Sequence, residues 1–166
     1  VLMLSRAQRA SDGIQLIDSS LVVADVLRGL ELSMEDTQAN VTVADNLPQI
    51  RVDPRWLRQS VFNLVANALK FTREGETPEI EICSYEPGPH DEQPWVGLVV
   101  RDRGTGVPED QRERVFQLFQ RAVSRKVEGT GAGLAIVRQV ANRYGGHAWT
   151  EPRDGGGSEF FITFEK

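Results

Sequence analysis

FNLVANALKFT, residues 62 to 72, places two asparagines, Asn63 and Asn67, one helical turn apart in an otherwise apolar, helix-forming run. Asparagine competes with the backbone for hydrogen bonds, so a helix interior gains nothing from two of them. At about 100° per residue, Gln59, Asn63, Asn67 and Lys70 fall within roughly 80° of one another. Leu57, Val61, Val65, Ala68 and Leu69 cluster on the other side. One face packs, and the other presents amides and a cation. Two readings stand open on this helix alone: a solvated polar face, or a ligand-holding one.

Length and composition narrow the field. A chain of 166 residues fits one domain with a real core, and its net charge of -5 gives no global electrostatic case for nucleic acid. The single cysteine, Cys83, excludes an internal disulfide framework, and two histidines, His90 and His147, do not make a metal cluster. A reducing, cytoplasmic compartment is the expectation. No apolar run approaches the roughly 18 residues of a membrane span, so no direct membrane contact is expected. The chain opens on Val1 rather than Met, which reads as a fragment of something longer. Its 15 glycines concentrate between Gly104 and Gly157, where special backbone geometry is therefore expected.

Outward from the asparagine helix, Asp53 and Pro54 supply a start signal. Before it, residues 41–43 and 50–52 alternate and turn through Asn46 to Pro48, which predicts a hairpin-like pair of strands. Leu21, Val22, Val26, Leu27, Leu30 and Met34 recur at helical spacing and predict one amphipathic helix. After it, EIEICSYE and WVGLVVRD read as strands around a turn-rich loop, and PEDQRERVFQLFQ as a short helix. LAIVRQVANRYGG is a helix stopped by Gly145 and Gly146, and HAWTEPRDGGGSEFFITFE is a pair of strands joined by a glycine turn. The mixture predicts an α+β fold: a two-layer sandwich of a mixed, mostly antiparallel sheet with about three helices on one face.

Two glycine constellations follow. In VVRDRGTGVPED, Asp102 ends a strand and Gly104 and Gly106 come after it. Such an aspartate can be an ordinary turn former, or a carboxylate that accepts from an exocyclic amine while glycines let the backbone approach a flat ring. In EGTGAGLAIVRQV, Gly129, Gly131 and Gly133 run into a helix, where free N–H groups and the positive helix end favour an anion. It is not a Walker loop, because no Gly-Lys-Ser/Thr follows, and its spacing misses the dinucleotide-binding fingerprint. A hinge with packing glycines is the other reading.

Taken in order, N-x-x-x-N-x-x-K, D-x-G-x-G, VFQLFQR and G-T-G-A-G-L-A resemble the N, G1, F and G2 boxes of the ATP-binding domain of sensor histidine kinases. These are a branch of the GHKL ATPases, which include gyrase and the mismatch-repair ATPases. The likeness covers nearly the whole chain, and LSRAQRASDG is similar to the end of the preceding dimerisation helix. Residues 1–13 would then be that helix end and a linker, and residues 14–166 the ATP-binding domain. FQR before the glycine run is reminiscent of phytochrome-type kinases.

The resemblance implies ATP and Mg²⁺ as cofactors. Asn67 would give a side-chain oxygen to Mg²⁺, a hard cation. Asn63 sits where water-activating relatives carry a glutamate; an amide is no general base, so hydrolysis should be suppressed, and Asn63 would orient a metal-bound water or a phosphate. Lys70 would neutralise phosphate charge. Asp102 would read the adenine amino group, with Gly104 and Gly106 shaping the pocket. Phe116 and Phe119 would pack where a lid hinges, unless they are ordinary core aromatics. Arg121, Arg125 and Lys126 lie in that lid, and one of them, with Arg121 the choice here, would reach the γ-phosphate. Gly129, Thr130, Gly131, Gly133 and Leu134 would close over the triphosphate. Ala132 stands where a leucine is common, and only nine residues separate Phe119 from Gly129, a short lid.

The implied activity is phosphoryl transfer from ATP to a histidine on a dimerisation domain, for relay to a response regulator, in a homodimeric parent. His90 and His147 lack the His-Glu or His-Asp context of such an acceptor, so this chain is expected to bind ATP without phosphorylating itself. Two alternatives use the same domain: a protein-serine kinase of the anti-sigma-factor type, and a degenerate scaffold that has lost nucleotide binding.

Overall fold

The computed structural model describes residues 13–89, 95–117 and 130–166. Their order is β1 (Gln15–Asp18), α1 (Ser19–Gly29), α2 (Glu31–Thr37), β2 (Asn40–Val43), β3 (Gln49–Val52) and α3 (Pro54–Lys70). Then come β4 (Glu79–Ser84), β5 (Trp95–Asp102), two short 3-10 turns (Glu109–Gln111 and Arg114–Phe116), α4 (Thr130–Arg143), β6 (Ala148–Pro152) and β7 (Ser158–Glu165).

The main sheet runs β2-β4-β5-β7-β6, parallel between β2 and β4 and antiparallel elsewhere. Its alternating residues Ile80, Ile82, Leu98, Val100, Phe160, Ile162 and Phe164 are buried under α3 and α4. On α3, Leu57, Val61, Leu64, Val65 and Ala68 supply the matching stripe, while Leu69 is only half-buried. The α+β sandwich expected from the sequence is the fold. On the other sheet face Trp149 stacks on Phe161 at 4.7 Å, with Tyr85 edge-on to both.

Three sequence expectations need correction. The hairpin across residues 41–52 does not exist: β2 pairs with β4, and β3 pairs antiparallel with β1, a strand the sequence reading missed. Alternation shows that a segment is extended but not which edge it joins. The helix expected over residues 21–34 breaks at Leu30, whose φ of -101° and ψ of 7° leave the helical region between α1 and α2. The short helix over 108–120 is, within its described part, two 3-10 turns, and Gln117 after them is extended.

The start of α3 is as the sequence implies. Asp53 caps it, its Oδ1 accepting from Arg55 N at 2.9 Å, and Pro54 takes the first turn, where its missing N–H is harmless. The Arg55 guanidinium, hydrogen-bonded to the carboxylate, holds Asp53 below the usual carboxylate range.

Candidate functional site

The two asparagines of α3 sit in different surroundings. Asn63 Nδ2 donates to the Gly133 carbonyl at 3.0 Å, and its Oδ1 accepts from Gln59 Nε2 at 2.9 Å. It ties the decisive helix to the first turn of α4, and a Cβ on Gly133 would lie 3.5 Å from its side chain. Asn67 is 6% exposed, and its Oδ1 is buried with no hydrogen-bond partner among the described residues. A buried amide oxygen left unpaired is costly, by about 1–3 kcal/mol. The polar face read from the sequence is thus graded: Lys70 exposed at its end, Asn63 half-buried, Asn67 buried.

Asp102 closes β5 and is 5% exposed. Its Oδ1 accepts from Gly104 N at 2.9 Å and Ser158 N at 3.2 Å, so the second oxygen, Oδ2, is the one left to accept from elsewhere. Burial pushes the carboxyl above its ordinary range, and the two backbone donors pull only part of the way back. Ser158 was not foreseen from the sequence; the glycine run before it, Gly155 to Gly157, all at positive φ, is the signal that the chain must turn tightly to bring that N–H in.

The Asp102 turn is stitched to the end of α3. Thr105 N donates to Phe71 O at 3.0 Å, Phe71 N donates to Asn67 O at 3.2 Å, and Arg73 Nε donates to Gly104 O at 3.2 Å. Gly104 is required here, since a Cβ would run into the Phe71 carbonyl, and Gly106 holds a φ of +75°. A short backbone relay therefore joins the residue with the orphan oxygen to the loop that carries the buried carboxylate.

Phe116 is buried against Phe160, with the Arg138 guanidinium over its ring at 4.4 Å. Arg138 also pairs with Glu113 at 2.8 Å and donates to Ala148 O at 3.1 Å, which fixes this segment to α4 and β6. Leu134 packs in the core behind the start of α4, and Thr130 and Gly131 open that helix. Phe119, Arg121, Arg125, Lys126, Gly129 and His90 lie outside the described residues. The structure brings Asn63 and Gly133 together and joins Asn67, Gly104 and Asp102 through the backbone.

A mixed sheet under helices, with a helix-borne asparagine pair and a strand-end aspartate set in glycines, defines a class of nucleotide-binding ATPase domain. The chain belongs to it: residues 52–166 match the family of histidine kinase-, DNA gyrase B- and HSP90-like ATPases. Among curated relatives, it is 32% identical over 75% of its length to the adaptive-response sensory kinase SasA of Prochlorococcus marinus, covering 32% of that protein. It is 35% identical over 99% of its length to the sensor histidine kinase AruS of Pseudomonas aeruginosa, covering 17% of it. Cyanobacterial phytochrome A of Nostoc is 34% identical over 98% of this chain, which covers 20% of it. The chain thus spans a third or less of these relatives.

Solved structures agree. The catalytic domain of the histidine kinase ThkA superposes with a TM-score of 0.72 at 25% identity, over 92% of this chain and 96% of that one. Full-length ShkA in complex with AMPPNP gives 0.73 at 27% identity, over 91% of this chain and 30% of that one. The domain is a histidine-kinase-type catalytic domain in fold and family. Among the described residues, no helix is long and apolar enough to cross a membrane.

Proposed function

We propose that this chain is the Mg-ATP-binding domain of a two-component sensor histidine kinase and donates the γ-phosphoryl group of ATP to a histidine on a dimerisation domain. In this reading residues 14–166 bind the nucleotide, and residues 1–13 are the end of the preceding dimerisation helix and a linker. The parent is a cytoplasmically acting homodimer that passes the phosphoryl group to a response regulator.

The observation that carries the reading is the pairing of a buried carboxylate, with Oδ2 left to accept, and a buried amide oxygen with no partner among the described residues, joined by one backbone relay. Asp102 Oδ2 accepts from the adenine amino group, a donor in ATP and an acceptor in GTP, and so selects the base. The two N–H groups on Oδ1 fix the carboxylate's rotation, so recognition needs no reordering.

Asn67 Oδ1 is a neutral oxygen that no hydrogen-bond donor among the described residues satisfies, which fits a hard divalent cation. A bound Mg²⁺ supplies charge neutralisation for the phosphates. Asn63, bonded at both ends of its amide, holds the first turn of α4 in place and has no carboxylate with which to activate water, which favours transfer over hydrolysis. Lys70 adds positive charge at the end of α3, and one lid cation, Arg121 in this reading, meets the γ-phosphate. Catalysis here is positioning plus electrostatics.

The test uses the parent chain with its preceding segment, incubated with γ-labelled ATP and Mg²⁺. Acid-labile, base-stable label on that segment, lost with Asp102→Asn, is the expected result. Label on a serine of a separate protein would transfer the reading to the anti-sigma-factor type, and absence of nucleotide binding would leave a scaffold.

A further inference from the structure

A cavity of about 520 Å³ lies where the loop after α3, the residue following Asp102 and the β6–β7 turn meet. Its walls include two arginines, Arg73 and Arg103, and two glutamates, Glu76 and Glu79. Among the described residues none of the four forms an ion pair. Both guanidiniums are instead held by neutral backbone acceptors: Arg73 Nε donates to Gly104 O at 3.2 Å and Arg103 Nη1 to Asp154 O at 2.8 Å. Each guanidinium has five N–H donors, so each keeps part of its fork for another acceptor.

The β6–β7 turn is shaped around these two forks. Gly155 and Gly156 hold φ of +85° and +108°; a Cβ on Gly155 would lie 2.8 Å from Arg103 Nη1, and one on Gly156 would lie 3.1 Å from Arg73 Nη2. Arg73 and Arg103 thus reach two successive glycines, and among the described residues neither is in an ion pair with a carboxylate. An oxyanion between two guanidinium forks offsets the repulsion of two like charges and matches their geometry. The glutamates in the same walls disfavour a polyanion such as a nucleotide and suit a cationic end.

We propose that this cavity binds a small zwitterion, its phosphate or carboxylate on Arg73 and Arg103 and its ammonium on Glu76 and Glu79. None of Asn63, Asn67 and Asp102 lines this cavity, yet it shares their frame. Arg73 grips the carbonyl of Gly104, and Arg103 follows Asp102 directly, so a ligand on the two forks acts on the turn that positions Asp102. By linkage, occupancy changes nucleotide affinity, and nucleotide changes zwitterion affinity by the same factor. That coupling rests on the nucleotide reading above; the binding does not.

The experiment is an amide NMR titration of this chain with phosphoethanolamine, run beside its two halves, inorganic phosphate and ethanolamine, without and with a saturating non-hydrolysable ATP analogue. The expected result is movement of the Gly75, Gly155 and Gly156 amides, with phosphoethanolamine binding about tenfold more tightly than phosphate. Arg73→Gln and Arg103→Gln each weaken it about tenfold, and Glu76→Gln with Glu79→Gln removes the preference over phosphate. Unmoved glycine amides, equal binding of phosphate by the wild-type chain, or shifts that survive loss of both arginines would overturn the site. Binding that is identical with and without the analogue would keep the site and overturn the coupling, and failure of the analogue itself to bind would count only against the nucleotide reading.

Discussion

The Asp102 end of the site and the Asn67 end differ in how they treat a buried polar group. At Asp102 two backbone N–H groups fix one carboxylate oxygen and leave the other to accept. At Asn67 the amide oxygen is buried with no partner among the described residues. The first end is prebuilt by the protein, while the second leaves a desolvated oxygen that a bound cation would satisfy. The contrast predicts that base recognition and metal dependence separate under mutation.

The largest effect is expected at Asp102. In Asp102→Asn the backbone donors keep Oδ1 and force the NH₂ into the place of Oδ2, so a donor faces the adenine amino group. Losing a charge-assisted bond costs about 1.5–3 kcal/mol, or tenfold to over hundredfold in affinity, before the donor–donor clash is added. Calorimetric titration with ATP checks it. The fold should not suffer, because burial raises this carboxyl and so disfavours its charged form. An acid raised on folding binds more protons folded than unfolded, so its charge destabilises the domain as pH rises through the folded value. Asp102→Asn should therefore melt no lower than wild type at pH 7. A variant that loses both binding and melting temperature would break the comparison.

The same shift predicts a pH dependence for the wild type. Oδ2 accepts only while Asp102 is ionised, so ATP affinity should begin to fall at a higher pH than for an ordinary aspartate, as pH descends through the raised value. Titrations from neutral to acid pH, with Asp102→Asn as the flat reference, read it directly. A wild-type profile as flat as the variant's would remove Asp102 from base recognition.

At the other end, Asn67→Ala should abolish the Mg²⁺ dependence of nucleotide affinity and lower affinity by about tenfold. Removing an oxygen that lacks a partner relieves its desolvation cost of about 1–3 kcal/mol, which offsets the packing lost with the side chain, so the variant should melt no lower than the wild type. Calorimetry with and without Mg²⁺, beside a thermal melt, gives both quantities. Retained Mg²⁺ dependence would mean that the orphan oxygen is a structural blemish and not a ligand.

How much of this was legible in the sequence follows from the range of each interaction. The α3 start, its buried stripe and the glycine turns are set by residues a few positions apart, and Asp53, Pro54, Leu57, Val61 and Gly157 announce them. Pairing is not local. Val41 and Ile50 look like hairpin partners, yet β2 lies beside β4 and β3 beside β1, because those edges were available. The break between α1 and α2 had a local sign, Gly29, that a strong apolar periodicity outweighed. For the site, residue types were readable and their states were not. Nothing in the spacing of Asn63 and Asn67 says that one is bonded at both ends and the other orphaned, since Gly133, 70 positions from Asn63, decides it.

The smallest predicted effect sits at that long-range bond. Asn63→Ala removes the part-buried hydrogen bond to Gly133 O and the exposed one from Gln59, for which a net contribution is about 0.5–1.5 kcal/mol each. The melting temperature should fall by only a few degrees. If Asn63 acts by holding the start of α4 rather than by touching metal, the Mg²⁺ dependence of ATP binding should persist in the variant while phosphoryl transfer slows. Asn63→Asp sharpens the point: it keeps the acceptor for Gln59, loses the donor to Gly133 and puts a carboxylate where water-activating relatives have one. A hydrolysis rate that rises in Asn63→Asp while transfer falls would show that this one side chain separates a kinase from an ATPase. Unchanged hydrolysis would assign the difference to the loop geometry around it.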